Sequence, residues 1–341
     1  MARIHFKPSG REISSRDGET VLAAALREGL VFPYSCRSGS CGICHARLVS
    51  GEVQPGTSPD GVLDASALAS GAILLCQAIS SSDELVIEAH EIETLAETQV
   101  RTLPFRVTRL EALSHDVTAV TLGLLKGRGR LEFIAGQYVD LLLWDNSRRS
   151  YSIASTPDNT ESIKLHVRRI PGGKFSDHEL STLKQQDVLR VMGPLGTFFM
   201  RDDLRPAICV AGGTGFASVA AMIESLRIQG KRSPVEFYWG VRSRRDLYCL
   251  EQVSMWENEM GIRFTPVLSR PDLDWDGQSG WVHEAVLADY TDLSGLQVYA
   301  SGPPEMIAAI RETFPEHGLA ADALYYDSFE HAVDPPGLEP E

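Results

Sequence analysis

Four cysteines stand where their thiols could act together. Cys36, Cys41 and Cys44 fall in the segment FPYSCRSGSCGICHARL as C-x4-C-x2-C, and Cys76 follows with 31 residues between it and Cys44. A disulfide framework belongs to small secreted chains, not to one of 341 residues with six cysteines. Zinc sites usually draw on two C-x2-C pairs, and here that pair is single. The x4-then-x2 spacing with one distant cysteine is a ligand pattern of a 2Fe–2S cluster; structural zinc and plain buried thiols are the alternatives. The loop is rich in small residues (Ser38, Gly39, Ser40, Gly42). Such a loop can turn backbone N–H groups toward sulfur, and those donors offset the charge of four thiolates. Cys209 and Cys249 lie in apolar surroundings and read as inert core thiols.

A second group of residues suits a flat heterocycle carrying phosphates. In Arg149-Ser150-Tyr151-Ser152 the arginine and the tyrosine are two residues apart, so a strand puts both on one face. The guanidinium can grip a pyrophosphate while the ring lies against the heterocycle. An ordinary strand with an aromatic plug would look the same. Further on come His166-Val167-Arg168 and then Gly172-Gly173-Lys174-Phe175-Ser176 before a helical stretch. A glycine pair and a serine at a helix start form an anion site of backbone N–H groups. Two phosphate-binding features flanking one aromatic make FAD the best reading.

A third group follows the apolar run AICVA. Gly212-Gly213-Thr214-Gly215 and the helical pattern FASVAAMIESLRIQG give strand, glycine turn and helix, the context in which a glycine motif holds a pyrophosphate. Ser269-Arg270 and Ser301-Gly302-Pro303-Pro304-Glu305-Met306 end later strands, and Arg242, Arg244 and Arg245 end another. Ligands in open α/β sheets bind beyond such ends. Arginine clusters are equally often plain solvated surface.

The elements that must position these residues fall into three blocks. Around the cysteines, strands are expected at 3–7, 12–15, 46–53, 73–79 and 84–89, with a helix at 20–28. A helix crossing a small mixed sheet is a β-grasp arrangement. From 105 to 200, six short alternating strands with turn signals suggest an antiparallel β-barrel, which GPLG closes with a tight turn. Beyond 201, strands alternate with helices, as in a parallel α/β sheet. The expected boundaries are 1–92, a linker at 93–101, then 102–200, 201–331 and a tail at 332–341.

Charge divides along similar lines: residues 1–97 carry a net −6, 98–200 a net +4 and 201–341 a net −12, within a total of −14. So acidic a chain argues against a nucleic-acid or anionic-membrane partner. No run approaches the ~18 apolar residues of a membrane helix, and MARIHFKPSGREISS lacks a signal peptide's apolar stretch, so a cytoplasmic protein is expected.

Taken in order, YSCRSGSCGIC, RRSYSIAS, HVRRIPGGKFS, GPLGTFF, AGGTGF and YASGPPEM resemble the ferredoxin–NADP reductase superfamily in its fused form. In that form a plant-type ferredoxin precedes the flavin and nicotinamide domains. The resemblance covers residues 2 to about 330 and implies a fold of three parts: β-grasp 2Fe–2S ferredoxin, six-stranded antiparallel FAD barrel and parallel α/β nicotinamide domain. It implies Cys36, Cys41, Cys44 and Cys76 as cluster ligands. It implies Arg149 on the FAD pyrophosphate, Tyr151 on the isoalloxazine and Ser152 toward flavin N5. His166, Val167 and Arg168 match the next FAD strand; Gly173, Lys174, Phe175 and Ser176 match the phosphate turn. Gly213, Thr214 and Gly215 match the nicotinamide pyrophosphate site, bordered by Arg242, Gly302, Pro303 and Met306. Phe329 sits where the family has a late residue covering the other flavin face.

Two positions depart from the family. Ser301 stands where relatives often have a cysteine near the hydride-transfer centre, and Ser218 where they commonly have proline. Ser269-Arg270 resembles the pair that grips the ribose phosphate of NADP, so NADPH is expected to be accepted.

The implied activity is an NAD(P)H oxidoreductase, with electrons passing from NAD(P)H through FAD and the 2Fe–2S cluster to a one-electron acceptor protein. The first expected partner is the terminal oxygenase of an aromatic-ring hydroxylating system, and the second a CDP-deoxysugar dehydrase. A non-catalytic redox sensor and a free-flavin reductase are the remaining readings. A monomer is expected.

Overall fold

The computed structural model describes residues 1–54, 62–95, 99–203, 205–231 and 234–330. The chain divides into two compact units, 1–100 with 194–197, and 101–193 with 198–341.

The first unit is a mixed five-stranded sheet crossed by one helix. Its elements are β1 (Ala2–Lys7), β2 (Glu12–Ser15), α1 (Val21–Arg27), β3 (His45–Ser50), β4 (Val53–Gln54), α2 (Ala65–Ala69), β5 (Ala72–Leu74), β6 (Ile79–Ser80) and β7 (Glu84–Glu88). The order is β2-β1-β7-β3-β5, with β1 and β7 parallel and β4-β6 a separate ribbon. Alternation decides the faces: Ile4 and Phe6 point inward from β1, and Phe6 meets Phe32 at 4.5 Å. Thr20 caps α1 by accepting from the Ala23 N–H, and Val21, Leu22, Ala24 and Ala25 form its buried stripe. The β-grasp expectation therefore stands.

One expected strand does not. The run at 73–79 breaks after Leu74, where Gln77 and Ala78 N–H both return to the Leu74 carbonyl. That turn carries Cys76.

The second unit opens with six antiparallel strands: β8 (Arg101–Ala112), β9 (Val117–Leu124), β10 (Tyr138–Leu142), β11 (Arg148–Ser152), β12 (Ser162–Arg168) and β13 (Val188–Leu195). Their order is β11-β10-β13-β8-β9-β12, and an Ile153–Leu165 bridge joins the two ends. A helical turn at Lys174–Glu179 runs into α3 (Leu180–Thr182). Leu103, Phe105, Val107 and Val191 fill the interior with Val139, Leu165 and Val167. The strand β8 starts at Arg101, so the expected linker is shorter by that residue; positions 96–98 lie outside the described residues. GPLG is not a tight turn, since Gly193-Pro194-Leu195 continues β13.

A six-stranded parallel sheet follows, ordered β17-β16-β15-β14-β18-β19. Its elements are β14 (Ala207–Gly212), α4 (Phe216–Ile228), β15 (Val235–Val241), α5 (Leu250–Met260), β16 (Arg263–Leu268), β17 (Gln278–Ser279), α6 (Val282–Asp289), β18 (Gln297–Gly302), α7 (Pro304–Glu316) and β19 (Leu324–Ser328). Period two again sets the layers. Ala207, Cys209 and Ala211 face α4 and α5, whereas Ile208 and Val210 face α6 and α7. Because β15 and β18 flank β14 on opposite sides, the strand order reverses at β14. A crevice opens beyond its carboxyl end. The expected tail at 332–341 lies outside the described residues.

Candidate cofactor sites

The four cysteine sulfurs are held as two pairs. Cys36, Cys41 and Cys44 lie in the loop between α1 and β3, and Cys76 on the turn after β5. Cys41, Cys44 and Cys76 are buried, and Cys36 is half-buried. The Ser38 and Cys41 N–H groups each donate to Cys36 Sγ at 3.4 Å. Backbone N–H groups of Ile43 and Gly39 face Cys41 and Cys76. Hydrogen bonding within each pair pulls Cys36 and Cys76 below the ordinary thiol range and pushes their partners Cys41 and Cys44 above it.

Two adjoining pairs, each with inward N–H donors, fit the two irons of a 2Fe–2S cluster. Cys209 is sealed in the core, and burial pushes its thiol up to about 12; Cys249 is half-buried with φ 55°.

On β11, Arg149 pairs with Leu141 and Tyr151 with Val139, which puts both side chains on one face. Tyr151 is half-buried against Phe175, ring centroids 5.5 Å apart. Burial raises its hydroxyl pKa, and both the Arg149 and Glu179 charges reach it. Ser152 is buried beside them. The turn after β12 is drawn in by close approach: a Cβ on Gly173 would sit 2.4 Å from Ser176 Oγ. The Gly172 N–H donates to Asp177 Oδ2 at 2.8 Å and the Gly173 N–H to the Ile170 carbonyl at 2.9 Å, so the expected glycine donors are taken. Only the first N–H groups of the Lys174–Glu179 turn lack helical acceptors. A face with one guanidinium and one flat ring, bordered by such a turn, fits a flavin dinucleotide. Lys174 is spent differently, on an ion pair with Asp145 at 2.9 Å that holds that carboxyl well below its ordinary range. Val167 and Phe175 are fully buried in the barrel interior, so only their backbone can face a cofactor.

His166 turns toward the parallel-sheet region, its ring stacked at 6.2 Å on Phe216, the first residue of α4. Burial lowers it to about 3, helped by the Lys164 charge, and among the described residues its Nδ1 has no hydrogen-bond partner. Arg168 lies with Nε 3.1 Å from Asp116 and its Nη1 over Gly213, where a Cβ would come within 2.7 Å.

The crevice beyond β14 is built from two glycine-bearing loops pressed together. A Cβ on Gly215 would fall 1.9 Å from the Ser301 carbonyl oxygen, and one on Gly212 2.7 Å from both Pro303 and Met306. Gly302, at φ +156°, leaves no more room: its Cβ would meet Gly212 Cα at 2.9 Å. Trp239 Nε1 donates to the Gly213 carbonyl at 2.8 Å, and Phe329 N–H to that of Gly302 at 2.9 Å. Thus Gly213, Thr214, Gly215, Ser301, Gly302, Pro303, Met306 and the half-buried Phe329 share one locality. Ser301 itself is fully buried.

Arg242 and Arg270 line a cavity of about 470 Å³ together with Arg168, Arg245 and His115. The Arg270 N–H donates to the Arg242 carbonyl at 2.7 Å, which fixes the two loops side by side. Ser269 is half-buried behind them and does not line the cavity. Its acidic members escaped sequence reasoning. Asp246 caps the arginine loop, accepting from Ser243 N–H and Oγ at 2.8 Å, and its other oxygen lies 3.6 Å from His115. The S-x-x-D spacing was the signal for that cap.

Pairs of sulfurs, a flavin face and a dinucleotide crevice in one chain define an iron–sulfur flavoprotein oxidoreductase. Three family models match in the same order: a 2Fe-2S iron-sulfur cluster binding domain over 4–81, an oxidoreductase FAD-binding domain over 104–200 and an oxidoreductase NAD-binding domain over 209–312. The chain is 38% identical over 327 residues to a CDP-6-deoxy-L-threo-D-glycero-4-hexulose-3-dehydrase reductase of Yersinia pestis, covering 96% of this chain and 98% of that one. It is 33% identical over 340 residues to the reductase component 1 of terephthalate 1,2-dioxygenase from Comamonas, covering 98% of each. A solved cytochrome P450 reductase from Amycolatopsis superposes with a TM-score of 0.81 at 32% identity, over 96% of this chain and 99% of that one. The chain belongs to the ferredoxin–NADP reductase superfamily, among the members fused to a plant-type ferredoxin. It is an NAD(P)H oxidoreductase whose cofactors are FAD, a 2Fe–2S cluster and NAD(P)H, and it hands electrons to an acceptor. No helix among the described residues is long and apolar enough to cross a membrane.

Proposed function

We propose that the protein is the reductase component of an aromatic-ring hydroxylating system, passing electrons from NAD(P)H to a terminal oxygenase. The observation carrying this reading is the presence, in one chain, of paired cluster sulfurs and a flavin–nicotinamide machinery, together with full-length likeness to the Comamonas reductase component. When bound, the three groups together exchange an electron pair for single electrons.

The chain's own residues do the holding. Arg149 neutralises the flavin pyrophosphate, the Tyr151 ring walls one face of the heterocycle, and Ser152 offers a hydroxyl at its edge. Cys36, Cys41, Cys44 and Cys76 ligate iron, while the N–H groups of Ser38, Gly39, Cys41 and Ile43 stabilise thiolate charge. The turn Gly213–Gly215 holds the nicotinamide pyrophosphate; Arg168, expected with the FAD strand, lies over Gly213 and lines the same cavity as Arg242 and Arg270, which meet a ribose phosphate, so NADPH is accepted. Phe329 covers the flavin face opposite Tyr151. The protein works as a cytoplasmic monomer with domains at about 1–92, 101–200 and 201–331.

A second reading is favoured by one observation, the 38% identity to the Yersinia reductase, and makes a CDP-deoxysugar dehydrase the acceptor. Purified protein supplied with NADPH or NADH is assayed with a terminal oxygenase and its aromatic substrate, and with a CDP-hexulose dehydrase. Product in the first mixture supports the main reading; product in the second alone replaces it. No reduction of cytochrome c by NAD(P)H would refute both.

A further inference from the structure

The chain that leads into the cysteine loop is held by a distant strap. Phe32, Tyr34 and Ser35 are buried, yet no helix or strand takes them in. Buried backbone outside a ladder must find its partners elsewhere. The Val31 carbonyl accepts from the Ile92 N–H at 2.7 Å. Tyr34 is served by Thr197, 163 positions away in the sequence. The Tyr34 N–H donates to Thr197 Oγ1 at 3.0 Å, and that hydroxyl donates to the Tyr34 carbonyl at 3.0 Å. The Thr197 N–H donates to the same carbonyl at 3.1 Å. One hydroxyl can accept and donate together because it carries one proton and two lone pairs. Thr197 is itself buried, and residues 194–197 belong by their contacts to the same unit as the four cysteines.

The other side of Cys36 is strained. Arg37 sits at φ 58°, in the left-handed region that an L side chain adopts at a cost. Such a residue persists only where its surroundings over-determine it. Cys36 therefore stands between a clamped residue, Tyr34, and a strained one, Arg37. Its sulfur accepts from the N–H groups of Ser38 and Cys41, and both lie beyond Arg37 in the chain. A clamp released at Tyr34 lets the Arg37 backbone relax, and that relaxation turns the two donors away from the sulfur. Hydrogen bonds to its sulfurs are among the factors that set a cluster's electronic properties.

We propose that Thr197 is a positioning residue for the 2Fe–2S cluster: its hydroxyl clamps Tyr34 and so holds Cys36 Sγ against the Ser38 and Cys41 N–H groups. The proposal is independent of which acceptor the protein serves and rests on Cys36 being a cluster ligand. The test compares holoenzymes carrying Thr197→Val, Thr197→Ser and Thr197→Ala. Valine keeps the shape and loses the hydroxyl. Serine and alanine both lack the methyl, so together they isolate the hydroxyl even where the valine variant does not fold. The readouts are the EPR spectrum of the dithionite-reduced cluster, the rate at which its visible absorbance is lost in EDTA, and the bleaching of FAD by NADPH. Thr197→Val and Thr197→Ala are expected to shift the EPR g-values and to lose the cluster about fivefold faster, the factor of one ordinary hydrogen bond. Thr197→Ser keeps the g-values and a loss rate within twofold of the unaltered protein, and FAD bleaching stays within twofold throughout. Unaltered g-values in a variant without the hydroxyl, or a serine variant that behaves as alanine does, overturn the clamp. FAD bleaching slowed as much as cluster loss is hastened marks a general loosening and overturns it too. An unaltered protein without a 2Fe–2S EPR signal overturns the cluster reading itself.

Discussion

Replacing Gly215 with alanine sets two known effects against each other. Gly215 has φ −56° and ψ −18°, a backbone that alanine adopts freely. Exchanging glycine for alanine in a helix gains up to about 1 kcal/mol. Against that stands the new methyl, 1.9 Å from the Ser301 oxygen and 2.5 Å from its carbonyl carbon. Ordinary carbon–oxygen contacts need about 3.3 Å, so one chain must retreat by more than about 1 Å. The Ser301 peptide cannot easily do so, since Gly302 behind it already presses on Gly212. Overpacking of this kind costs about 1–3 kcal/mol. With the upper value and the helix gain subtracted, the net loss is about 2 kcal/mol, or about 4–8 °C for a unit of this size. The control is Gly230→Ala, where φ is +66° and nothing lies within 4 Å. It isolates backbone strain, about 1 kcal/mol or a little more. Thermal melts followed by flavin fluorescence, with NADP+ titration on each variant, read the result. Gly215→Ala should melt below Gly230→Ala and bind NADP+ more weakly, while the visible absorbance of the cluster is retained. A Gly215→Ala protein that melts at or above the wild-type temperature and binds normally would refute the close approach on which the crevice depends.

Three further outcomes are expected. Cys41→Ser abolishes the visible absorbance and EPR signal of the cluster while FAD stays bound; unchanged spectra would contradict the ligand assignment. Arg270→Ala raises KM for NADPH at least tenfold, the low end for a lost charged hydrogen bond, and leaves NADH nearly untouched; equal effects on both would remove the phosphate role. His166, lowered to about 3 by burial, stays neutral in the fold while an unfolded chain's histidine titrates near 6.5. Below pH 6.5 the unfolded state therefore gains a proton that the folded state refuses, and stability falls down to about pH 3. At pH 5.5 the penalty is about 1.4 kcal/mol, and His166→Gln removes it. Melting temperatures at pH 7.5 and 5.5 should differ less in the variant, and an identical difference would refute a buried neutral imidazole.

Periodicity and spacing made most of this architecture legible. The strand over Val235–Val241 coincides with the run VEFYWGV residue for residue, and the capped helix at Val21–Arg27 follows Thr20 as its sequence requires. Failures came where local pattern and tertiary demand disagree. The apolar run through Cys76 reads as strand, yet holding the Cys76 sulfur beside Cys44 requires a turn. The barrel pattern reads as starting at 105, but β8 starts at Arg101 and carries Pro104 inside it, opposite Arg190. Helix α2, five residues long and capped by Asp64, has no counterpart among the expected elements. In the sites, individual residues were legible and their partners were not. Lys174 reads as a phosphate ligand until Asp145, 29 residues away, is seen to take its charge. The meeting of His115 with Asp246 has no trace in either local sequence.

The interlocked glycines of the crevice also bear on how this molecule can be recombined. Gly212 and Gly215 on one loop and Ser301 and Gly302 on the other leave no slack between them, so neither segment has a shape of its own to donate. A chimera that imports only the 301–306 segment from a relative inherits a mould cut for a different casting. Swaps across this seam should succeed when residues 212–218 travel with 301–306, and designed libraries should vary the two stretches as a single cassette.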